Sequence, residues 1–402
     1  MVQWLEKNKI QNKLFSAAWS IFLLAGFFWL TEWYIFDETG TCETVWWVLE
    51  YIIVIVSAVI ILLNFICRKY SWKVILAYGI VGVIVLLSTY FSKDYNYIPV
   101  FLIFGAAYKQ NSKRIITISA ILTAAFLLIM LICSQTGLVE NTLFWRSDGT
   151  APRQSLGLVY ASTAPSIYLG FILQYIYLRK QNLRVWEFAI LEAINVFYFW
   201  ATDSRMPFYL GTAVVLFFFI ESLFNNHWRF TKHLKWLTVI APGLIAVGTV
   251  IVYFLYDENS KFWESIDRVL SWRIWYGSRA IDAYGIKLFG QEISWIGYGS
   301  GAPEGTYNYV DCSYMQILLQ FGVLLLAAIV FLYMVGIYRG AKRGDYWMVC
   351  ILLIVCAYAL TEPYLLNLVS LPLPILAVLA LEPQSEPIKF EKNWLKNAIN
   401  AE

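Results

Sequence analysis

Arginines in three connectors have the chemistry to hold a phosphorylated ligand. Arg273 lies among aromatic residues and has no carboxylate three or four positions away along the chain. Arg205 lies in a short polar connector with Asp203 and Ser204, and Arg153 comes just before an apolar stretch. A guanidinium presents a planar fork of N–H donors that matches phosphate oxygens in a bidentate way. These arginines therefore predict a site for an anionic, phosphate-bearing ligand.

Two more arginines lie in the same region as Arg273 and have simpler explanations. Arg268 follows Glu264 by four positions, and Arg279 precedes Asp282 by three. Both spacings suit ordinary ion pairs on the surface of a helix, which contribute little to stability. The aromatic density of this stretch is typical of a helix at the headgroup level of a membrane. The aromatic residues concerned are Trp272, Trp275 and Tyr276.

Asp311 is the best-placed residue for a general base near these arginines. It ends a long polar stretch and comes directly before an apolar one, so we expect it at the start of a helix. A carboxylate there could instead be the N-cap of that helix, a position that Asp favours strongly. One residue can have both roles. The two histidines, His227 and His233, lie in a separate basic connector and are predicted to be solvated loop residues.

The sequence has no pattern that indicates a metal or a nucleotide. It contains no HExxH, no GxSxG and no glycine-rich phosphate loop, and the region around the arginines has no paired aspartates of the DxD type. The six cysteines have no paired spacing of the kind that predicts zinc ligands or a disulfide framework. The predicted chemistry therefore uses neither a metal nor a cofactor.

The elements that carry these residues are membrane spans by composition. The 402 residues are 60% hydrophobic and 14% charged, with a mean hydropathy of +0.61, whereas soluble domains are about 25% charged. The apolar stretches are continuous rather than alternating, which predicts helices and not a barrel. Ten to twelve spans are expected, and about twelve can be placed. They are 14–36, 45–66, 73–91, 96–108, 114–133, 157–178, 185–202, 207–224, 236–256, 313–338, 346–361 and 364–381.

The distribution of positive charge predicts the orientation of these spans. With the N-terminus inside, 21 of the 30 Lys and Arg residues fall in the inner segments, and nine remain in the outer ones. The positive-inside rule therefore predicts a multi-pass protein of the cytoplasmic membrane with both termini in the cytoplasm. The net charge of +3 is a topology signal and does not indicate nucleic acid. All the candidate arginines and Asp311 then lie on the outer side.

The predicted fold is one domain, residues 1–402, with a large extracytoplasmic loop at 257–312. Apolar residues recur at helical spacing between Lys261 and Tyr284, which predicts one or two short helices in this loop. Glycines are frequent from Gly285 to Gly305, which predicts a turn-rich segment that brings backbone close to a ligand. The fold class is an all-α polytopic membrane protein.

Several motifs, in this order and on this side of the membrane, resemble the O-antigen ligase and polymerase superfamily. The Asp-Ser-Arg connector at 203–205 looks like the Ser-Arg hairpin of that family. Arg273, followed by Leu-Phe-Gly at 288–290 and Gly-Tyr-Gly at 297–299, is similar to its Arg…Pro-Leu-Phe-Gly…Gly-x-Gly run. The segment 311–322 resembles its His-Asn-x-x-Leu-(six residues)-Gly signature. The resemblance covers about residues 145–340.

Two details of the resemblance favour a Wzy-type polymerase over a ligase. Asp311 stands where ligases have His, which argues against a mechanism that needs an imidazole. Arg153, with Ser155 and Gly157, is similar to the Arg-x-Ser-x-Gly that precedes a span in capsule polymerases. The resemblance implies a bundle like that of GT-C glycosyltransferases. It also implies a polysaccharide polymerase that uses polyprenyl-diphosphate-linked oligosaccharide as donor and acceptor, at the outer face of the membrane.

The resemblance assigns roles to the candidate residues. Arg205 and Arg273, with Arg153, hold the diphosphate and stabilise the charge that develops on the leaving oxygen. Asp311 positions or deprotonates the acceptor hydroxyl, which attacks the anomeric carbon with inversion. The loop forms the sugar cleft, and membrane lipid, a chain-length regulator and a flippase are the implied partners. The remaining predicted substrate contacts are Ser204, Arg268, Trp272, Trp275, Tyr276 and Arg279.

Three other functions remain open at this stage. A ligase would move the glycan to a different acceptor, and a peptidoglycan-type glycosyltransferase would act on a related lipid-linked donor. A flippase or secondary transporter of lipid-linked oligosaccharide belongs to a different class. Transporters usually have repeat symmetry and helices broken near the midplane, whereas this sequence gathers its polar residues in one outer loop. Substitution of Arg273 by Lys distinguishes a bidentate phosphate site from a requirement for general positive charge.

Overall fold

The computed structural model describes residues 10–35, 41–66, 70–145, 152–224, 235–297 and 307–381. The two histidines, both termini and residues 298–306 of the glycine-rich segment lie outside these ranges. The described part is mostly helical. Its helices are α1 (Ile10–Trp29), α2 (Glu32–Ile35), α3 (Thr41–Ile66), α4 (Trp72–Ser92), α5 (Tyr97–Ala107), α6 (Ser112–Thr136), α7 (Thr163–Arg179), α8 (Val185–Thr202), α9 (Arg205–Phe224), α10 (Lys235–Leu255), α11 (Lys261–Val269), α12 (Arg273–Tyr284), α13 (Ser313–Gln316), α14 (Val323–Arg343), α15 (Tyr346–Tyr358) and α16 (Ile375–Leu379). A short antiparallel pair, β1 (Leu143–Trp145) and β2 (Pro152–Gln154), lies between α6 and α7.

Among the described residues, five helices are long and apolar enough to cross a membrane: α4, α6, α9, α10 and α14. Shorter apolar helical stretches occur at Trp47–Leu63, Tyr97–Ala107 and Tyr346–Tyr358. Large apolar side chains such as Leu86, Val247 and Phe331 are exposed on the outside of the bundle, as expected for surfaces that face lipid tails. The structure therefore agrees with an all-α membrane protein, while the number of ten to twelve spans stays a prediction.

Helix α7 forms the centre of the bundle. Of its 17 residues, 13 are buried, so it contacts neighbours on every side, as expected of a helix that is apolar all round. It packs against α6, α8 and α9. The backbone oxygen of Ser370 would lie 2.6 Å from a Cβ at Gly170. Glycine at this position therefore lets a second backbone segment approach the central helix closely.

Contacts between connectors define a first end of the bundle, which we call the basic end. The Lys180 ammonium, after α7, pairs with the Asp345 carboxylate, before α15, at 2.9 Å. Trp236 at the start of α10 stacks on Tyr338 near the end of α14, with ring centroids 6.2 Å apart. These are the connectors that carry the predicted cytoplasmic charge, and the structure places them together.

The other connectors meet at the opposite end, which we call the loop end because it carries α11 and α12. Thr31 pairs with Leu158 in an isolated β-bridge. The side-chain amide of Gln320 donates to the Asp94 carboxylate at 3.2 Å. Alternate connectors therefore meet at opposite ends of the bundle, as the charge pattern predicts. Which end faces the cytoplasm stays a prediction.

The predicted span 313–338 is not a single helix, and the structure corrects the sequence prediction here. The chain forms α13, then a π-helical turn at Ile317–Phe321, and breaks at Gly322, where φ is +90°. A Cβ at Gly322 would lie 2.4 Å from the backbone nitrogen of Gly290. The helix breaks because the glycine-rich part of the loop packs directly against it, and only glycine allows that approach.

The predicted span 364–381 is also wrong in its first half. Residues 359–374 form an irregular segment, and only α16 is helical. Leu365, Leu371 and Leu373 in or beside this segment are almost fully buried. Irregular backbone at membrane depth is tolerated only where protein or a water-filled cavity surrounds it. Pro372 and Pro374 lack N–H donors, which disfavours a helix through this stretch.

The helical spacing between Lys261 and Tyr284 is confirmed by α11 and α12, while the extracytoplasmic position of this stretch stays a prediction. Asp267 at the end of α11 is fully buried and accepts hydrogen bonds from the backbone N–H groups of Ile274 and Trp275, at 2.8 and 2.9 Å. Asp267 thereby provides acceptors for backbone N–H groups in the first turn of α12, which have no partner within the helix. The backbone of Gly277 lies against the Tyr253 ring of α10, which fixes α12 on the bundle.

Candidate active site

Arg273 holds two carboxylates at the loop end of the bundle. Its Nε lies 2.9 Å from Oδ2 of Asp311, and its Nη2 lies 3.3 Å from Oε1 of Glu362. The three side chains are 18%, 27% and 11% exposed, respectively. The expectation that Arg273 lacks an acidic partner was wrong, because the partners come from elsewhere in the sequence. The three residues form one cluster, which we call the Arg273 triad.

Local structure fixes Arg273 at the start of α12. Ser271 and Trp272 both have positive φ, of 59° and 63°, so the chain turns sharply between α11 and α12. The Trp272 N–H donates to the Asp267 backbone oxygen at 2.8 Å. The Asp267 side chain also caps the first turn of α12. Arg273, the first residue of α12, therefore follows a turn that is fixed by hydrogen bonds to both the backbone and the side chain of Asp267.

Asp311 is not the N-cap of the helix that follows it. The N-cap residue of α13 is Cys312, and the Asp311 carboxylate faces Arg273 instead. Of the two roles that the sequence left open, the structure excludes the cap. A carboxylate held by a guanidinium and still partly exposed suits proton transfer to or from a bound ligand.

Glu362 is the residue of this site that sequence reasoning missed. It follows α15 in the irregular segment and was assigned to the boundary between two spans. The Ser313 hydroxyl donates to the Glu362 backbone oxygen at 2.7 Å, and the Leu365 N–H donates to the Ser313 oxygen at 3.1 Å. The available signal was a lone carboxylate between two apolar stretches, beside Pro363. Such residues mark function by default.

The electrostatics of the Arg273 triad are those of one cation between two carboxylates. Burial raises the pKa of Glu362 to about 7, Arg273 opposes this rise, and Asp311 adds to it. Burial also raises the pKa of Asp311, again against the opposing effect of Arg273. With both carboxylates ionised, the Arg273 triad carries an excess negative charge. With Glu362 protonated, it is neutral.

Arg153 of β2 lies within electrostatic reach of the Arg273 triad. Its Nε donates to the Thr202 backbone oxygen at 2.9 Å, and its Nη2 donates to the Ser204 hydroxyl at 3.2 Å. Its guanidinium also lies over the Tyr160 ring, 5.3 Å from the centroid. Arg153 is close enough to lower the pKa of Glu362. The structure therefore places Arg153 beside Ser204, with its guanidinium within electrostatic reach of Glu362.

The other predicted arginines lie away from the Arg273 triad. Arg205 is 53% exposed and lies 3.8 Å from the Asp203 carboxylate. Arg268 is 70% exposed and pairs with Glu264 at 2.6 Å, as its spacing predicts. The Arg279 guanidinium stacks on the Trp275 ring, 4.2 Å from its centroid. The three arginines are exposed at the surface of the protein.

The aromatic candidates lie on the same surface. Trp272 is exposed, whereas Trp275 and Tyr276 are half-buried and pack edge to face, with centroids 4.8 Å apart. Tyr276 also contacts the Tyr307 ring at 4.7 Å. An aromatic surface of this kind can stack on sugar rings or lie among lipid headgroups.

Two of the motifs that carry the family resemblance contact each other. The Gln291 N–H donates to the Gln320 backbone oxygen at 2.9 Å, and the Val323 N–H donates to the Lys287 oxygen at 3.1 Å. The Leu-Phe-Gly stretch at 288–290 thus lies against the break at Gly322. This contact anchors the segment between α12 and Asp311, and so helps to hold both ends of the Arg273–Asp311 pair.

The described residues contain no group of three His, Cys, Asp or Glu side chains arranged to hold a metal ion. The two carboxylates of the site share a guanidinium, which already occupies the space between them. The arrangement can bind an anion through arginine and can hold or transfer a proton through a carboxylate.

Comparisons with protein-family models, with curated proteins and with solved structures find no match to this chain. The resemblance to the O-antigen ligase and polymerase superfamily therefore rests on the motifs themselves.

Proposed function

We propose that the protein is a membrane glycosyltransferase that polymerises polysaccharide from polyprenyl-diphosphate-linked oligosaccharide at the outer face of the cytoplasmic membrane. The acceptor hydroxyl attacks the anomeric carbon of the donor, and the bond from that carbon to the diphosphate oxygen breaks. The hydroxyl proton passes to a carboxylate of the site, and the lipid diphosphate leaves with the electron pair.

The observation that carries the proposal is a partly buried Arg273 at the loop end, with Arg153 within electrostatic reach of its partner Glu362. The two arginines come from segments 120 positions apart. Arginine is the preferred side chain for bidentate contact with phosphate. A diphosphate is already a good leaving group, so arginines can stabilise its developing charge.

The other residues have roles that follow from their positions. Asp311, the more exposed carboxylate, is the proposed acceptor of the hydroxyl proton. Ser204 orients Arg153, and Arg205 on the next helix contacts the outer part of the diphosphate or the glycan. The aromatic surface at Trp272 and Trp275 stacks on sugar rings.

A ladder assay on the purified protein in detergent tests this function. With a lipid-diphosphate-linked repeat unit as the only substrate, we expect products spaced by one repeat. Arg153→Ala and Arg273→Ala should each lower the rate by about a hundredfold or more, as the loss of one transition-state donor does. Lys261→Ala, which removes an exposed cation of the same loop, is the matched control and should keep the ladder.

A transporter of the same lipid-linked substrate is the second candidate. The observation in its favour is the irregular backbone at 359–374 together with the break at Gly322, since transporters form substrate sites from interrupted helices. Arg273→Lys separates the two functions in the same assay. A ladder lost in Arg273→Lys supports the enzyme, whereas labelled lipid that crosses proteoliposomes, with transport kept in Arg273→Lys, supports the transporter. Transfer of a single glycan to a different acceptor, without a ladder, would indicate a ligase.

A further inference from the structure

The Arg273 triad has a charge balance that conflicts with anion binding. The Arg273 guanidinium pairs with two carboxylates. Asp311 lies 2.9 Å from Nε, and Glu362 lies 3.3 Å from Nη2. If both carboxylates are ionised, an incoming diphosphate meets an arginine whose charge is more than neutralised. Like charges brought together at a site of low exposure are costly. Even with Arg153 within electrostatic reach, the loss of one negative charge from this triad favours the binding of an anion.

We propose that the site binds the diphosphate together with one proton, and that Glu362 is the residue that takes up this proton. The inference rests on the proposed function, because it takes a diphosphate as the ligand. It adds a proton-coupled step that the family resemblance does not contain, and it assigns the step to a residue outside the resembling motifs.

Geometry favours Glu362 over Asp311 for this role. Asp311 holds Nε, the nitrogen at the base of the guanidinium, at the shorter distance. Glu362 holds the terminal Nη2 at 3.3 Å and is the more buried of the two. Protonation of Glu362 weakens its hold on Nη2, which can then donate to a phosphate oxygen, while Asp311 keeps the guanidinium oriented. A buried carboxyl is also the cheaper one to protonate.

The groups that face Glu362 come from every surrounding element. Arg273 and Arg153 favour its ionised form, and Asp311 favours its protonated form. The tyrosines at 309, 358 and 364 also lie within electrostatic reach of it. Burial outweighs the two arginines and raises the pKa of Glu362 to about 7, so the protonated form is accessible near neutral pH. A bound anion raises this pKa further, which is the linkage that drives proton uptake.

Proton-linked binding of a simple diphosphate diester tests the inference. The probe is farnesyl methyl diphosphate, whose phosphates have no titration near neutral pH and which carries no sugar. We expect its affinity for the wild type to rise about tenfold between pH 8 and pH 6, for a folded pKa of about 7. Calorimetry in buffers of different ionisation enthalpy should show an uptake of about half a proton at pH 7.

Three variants test whether Glu362 is the residue that takes up the proton. Glu362→Gln should bind about tenfold more tightly than the wild type at pH 8, with no proton uptake and a flat pH profile. A merely structural role for Glu362 would weaken binding instead. Asp311→Asn should keep a pH-dependent affinity, because Glu362 still titrates. Glu258→Gln, which changes an exposed carboxylate in the loop at 257–312, is the matched control and should behave like the wild type.

Two results would overturn the inference in different ways. Binding by the wild type without proton uptake, or equal uptake in Glu362→Gln, would remove Glu362 from this role and leave the diphosphate site in place. The wild-type measurement decides this even if the variant fails to fold. Absence of binding at pH 6 would exclude the diphosphate site itself, and with it the proposed function.

Discussion

At the scale of single residues, the decisive feature is one guanidinium shared by two carboxylates. Breaking a buried ion pair by removing one partner usually costs about 3–5 kcal/mol, because the other charge is left without compensation. For Glu362, in contrast, the charge is not fully compensated even when Arg273 is present. Burial disfavours its negative charge by more than Arg273 offsets, and Asp311 adds to this, so the pKa of Glu362 is raised in the folded protein. The raised pKa has a consequence for the pH dependence of stability.

We expect the stability of the folded protein to fall as pH rises from about 5 to about 8. The folded state keeps the Glu362 proton up to a pKa of about 7, whereas the ordinary value is 4.5. Between these values the folded state binds more protons than the unfolded state, so stability is lost as pH rises. The full effect of Glu362 is about 3 kcal/mol. Thermal unfolding in detergent measures it.

Glu362→Gln is the variant for this prediction, with Glu258→Gln as control. The loss of melting temperature between pH 5 and pH 8 should be clearly smaller in Glu362→Gln and unchanged in the control. An equally steep pH profile in Glu362→Gln would mean that other groups dominate the stability in this range.

At the scale of elements, the site depends on places where regular structure is interrupted. Arg273 follows two residues with positive φ, Glu362 follows the end of α15, and Asp311 precedes α13 without capping it. The π-helical turn and the break at Gly322 let the glycine-rich segment pack against the helix that follows Asp311. Backbone irregularities of this kind cluster at functional sites.

Gly322→Ala should therefore destabilise the protein strongly. The new Cβ would lie 2.4 Å from the Gly290 nitrogen and 2.5 Å from the Leu288 oxygen, both backbone atoms that cannot move aside alone. The φ of +90° and ψ of 172° are also close to a conformation reserved for glycine. We expect a cost of about 3 kcal/mol or more, measured by thermal unfolding.

Gly137→Ala is a matched control for the strain alone. Gly137 has a φ of +73°, but a Cβ there would meet nothing within 4 Å. Its substitution should cost about 1 kcal/mol. Similar losses in both variants would show that the contact between Gly322 and Gly290 contributes little.

At the scale of the whole molecule, contacts sort the connectors into two ends. The Lys180–Asp345 pair lies at the basic end, and the Arg273 triad lies at the loop end. Every residue proposed to touch substrate lies at the loop end or in its loop. A lipid-linked substrate that stays in the bilayer can therefore present its diphosphate and glycan to one face only.

Cysteine labelling in intact cells tests the predicted orientation. Lys261→Cys at the loop end should react with a membrane-impermeant maleimide from outside. Lys113→Cys at the start of α6 should react only after permeabilisation, because it belongs to the predicted cytoplasmic segments. The unsubstituted protein gives the background from the native cysteines. The reverse labelling pattern would place the site in the cytoplasm and exclude an extracytoplasmic polymerase.

Features that depend on local composition can be predicted from the amino-acid sequence. Continuous apolar stretches predict membrane helices, helical spacing predicts α11 and α12, and the Arg268–Glu264 pair follows from a separation of four residues. The arginines at 153 and 273 were also identifiable from their unusual surroundings. These signals are short-range, so they survive without knowledge of the packing.

Which residues contact each other depends on tertiary packing. Arg273 and Asp311 are 38 positions apart, and Arg273 and Glu362 are 89 apart. The broken helix at Gly322 and the irregular segment at 359–374 read as spans in the sequence, because hydropathy reports burial and not backbone conformation. In these two segments, the backbone conformation depends on the neighbouring residues that surround the chain and form hydrogen bonds with its polar groups. The same packing placed a second carboxylate on Arg273, and so determined the charge of the site.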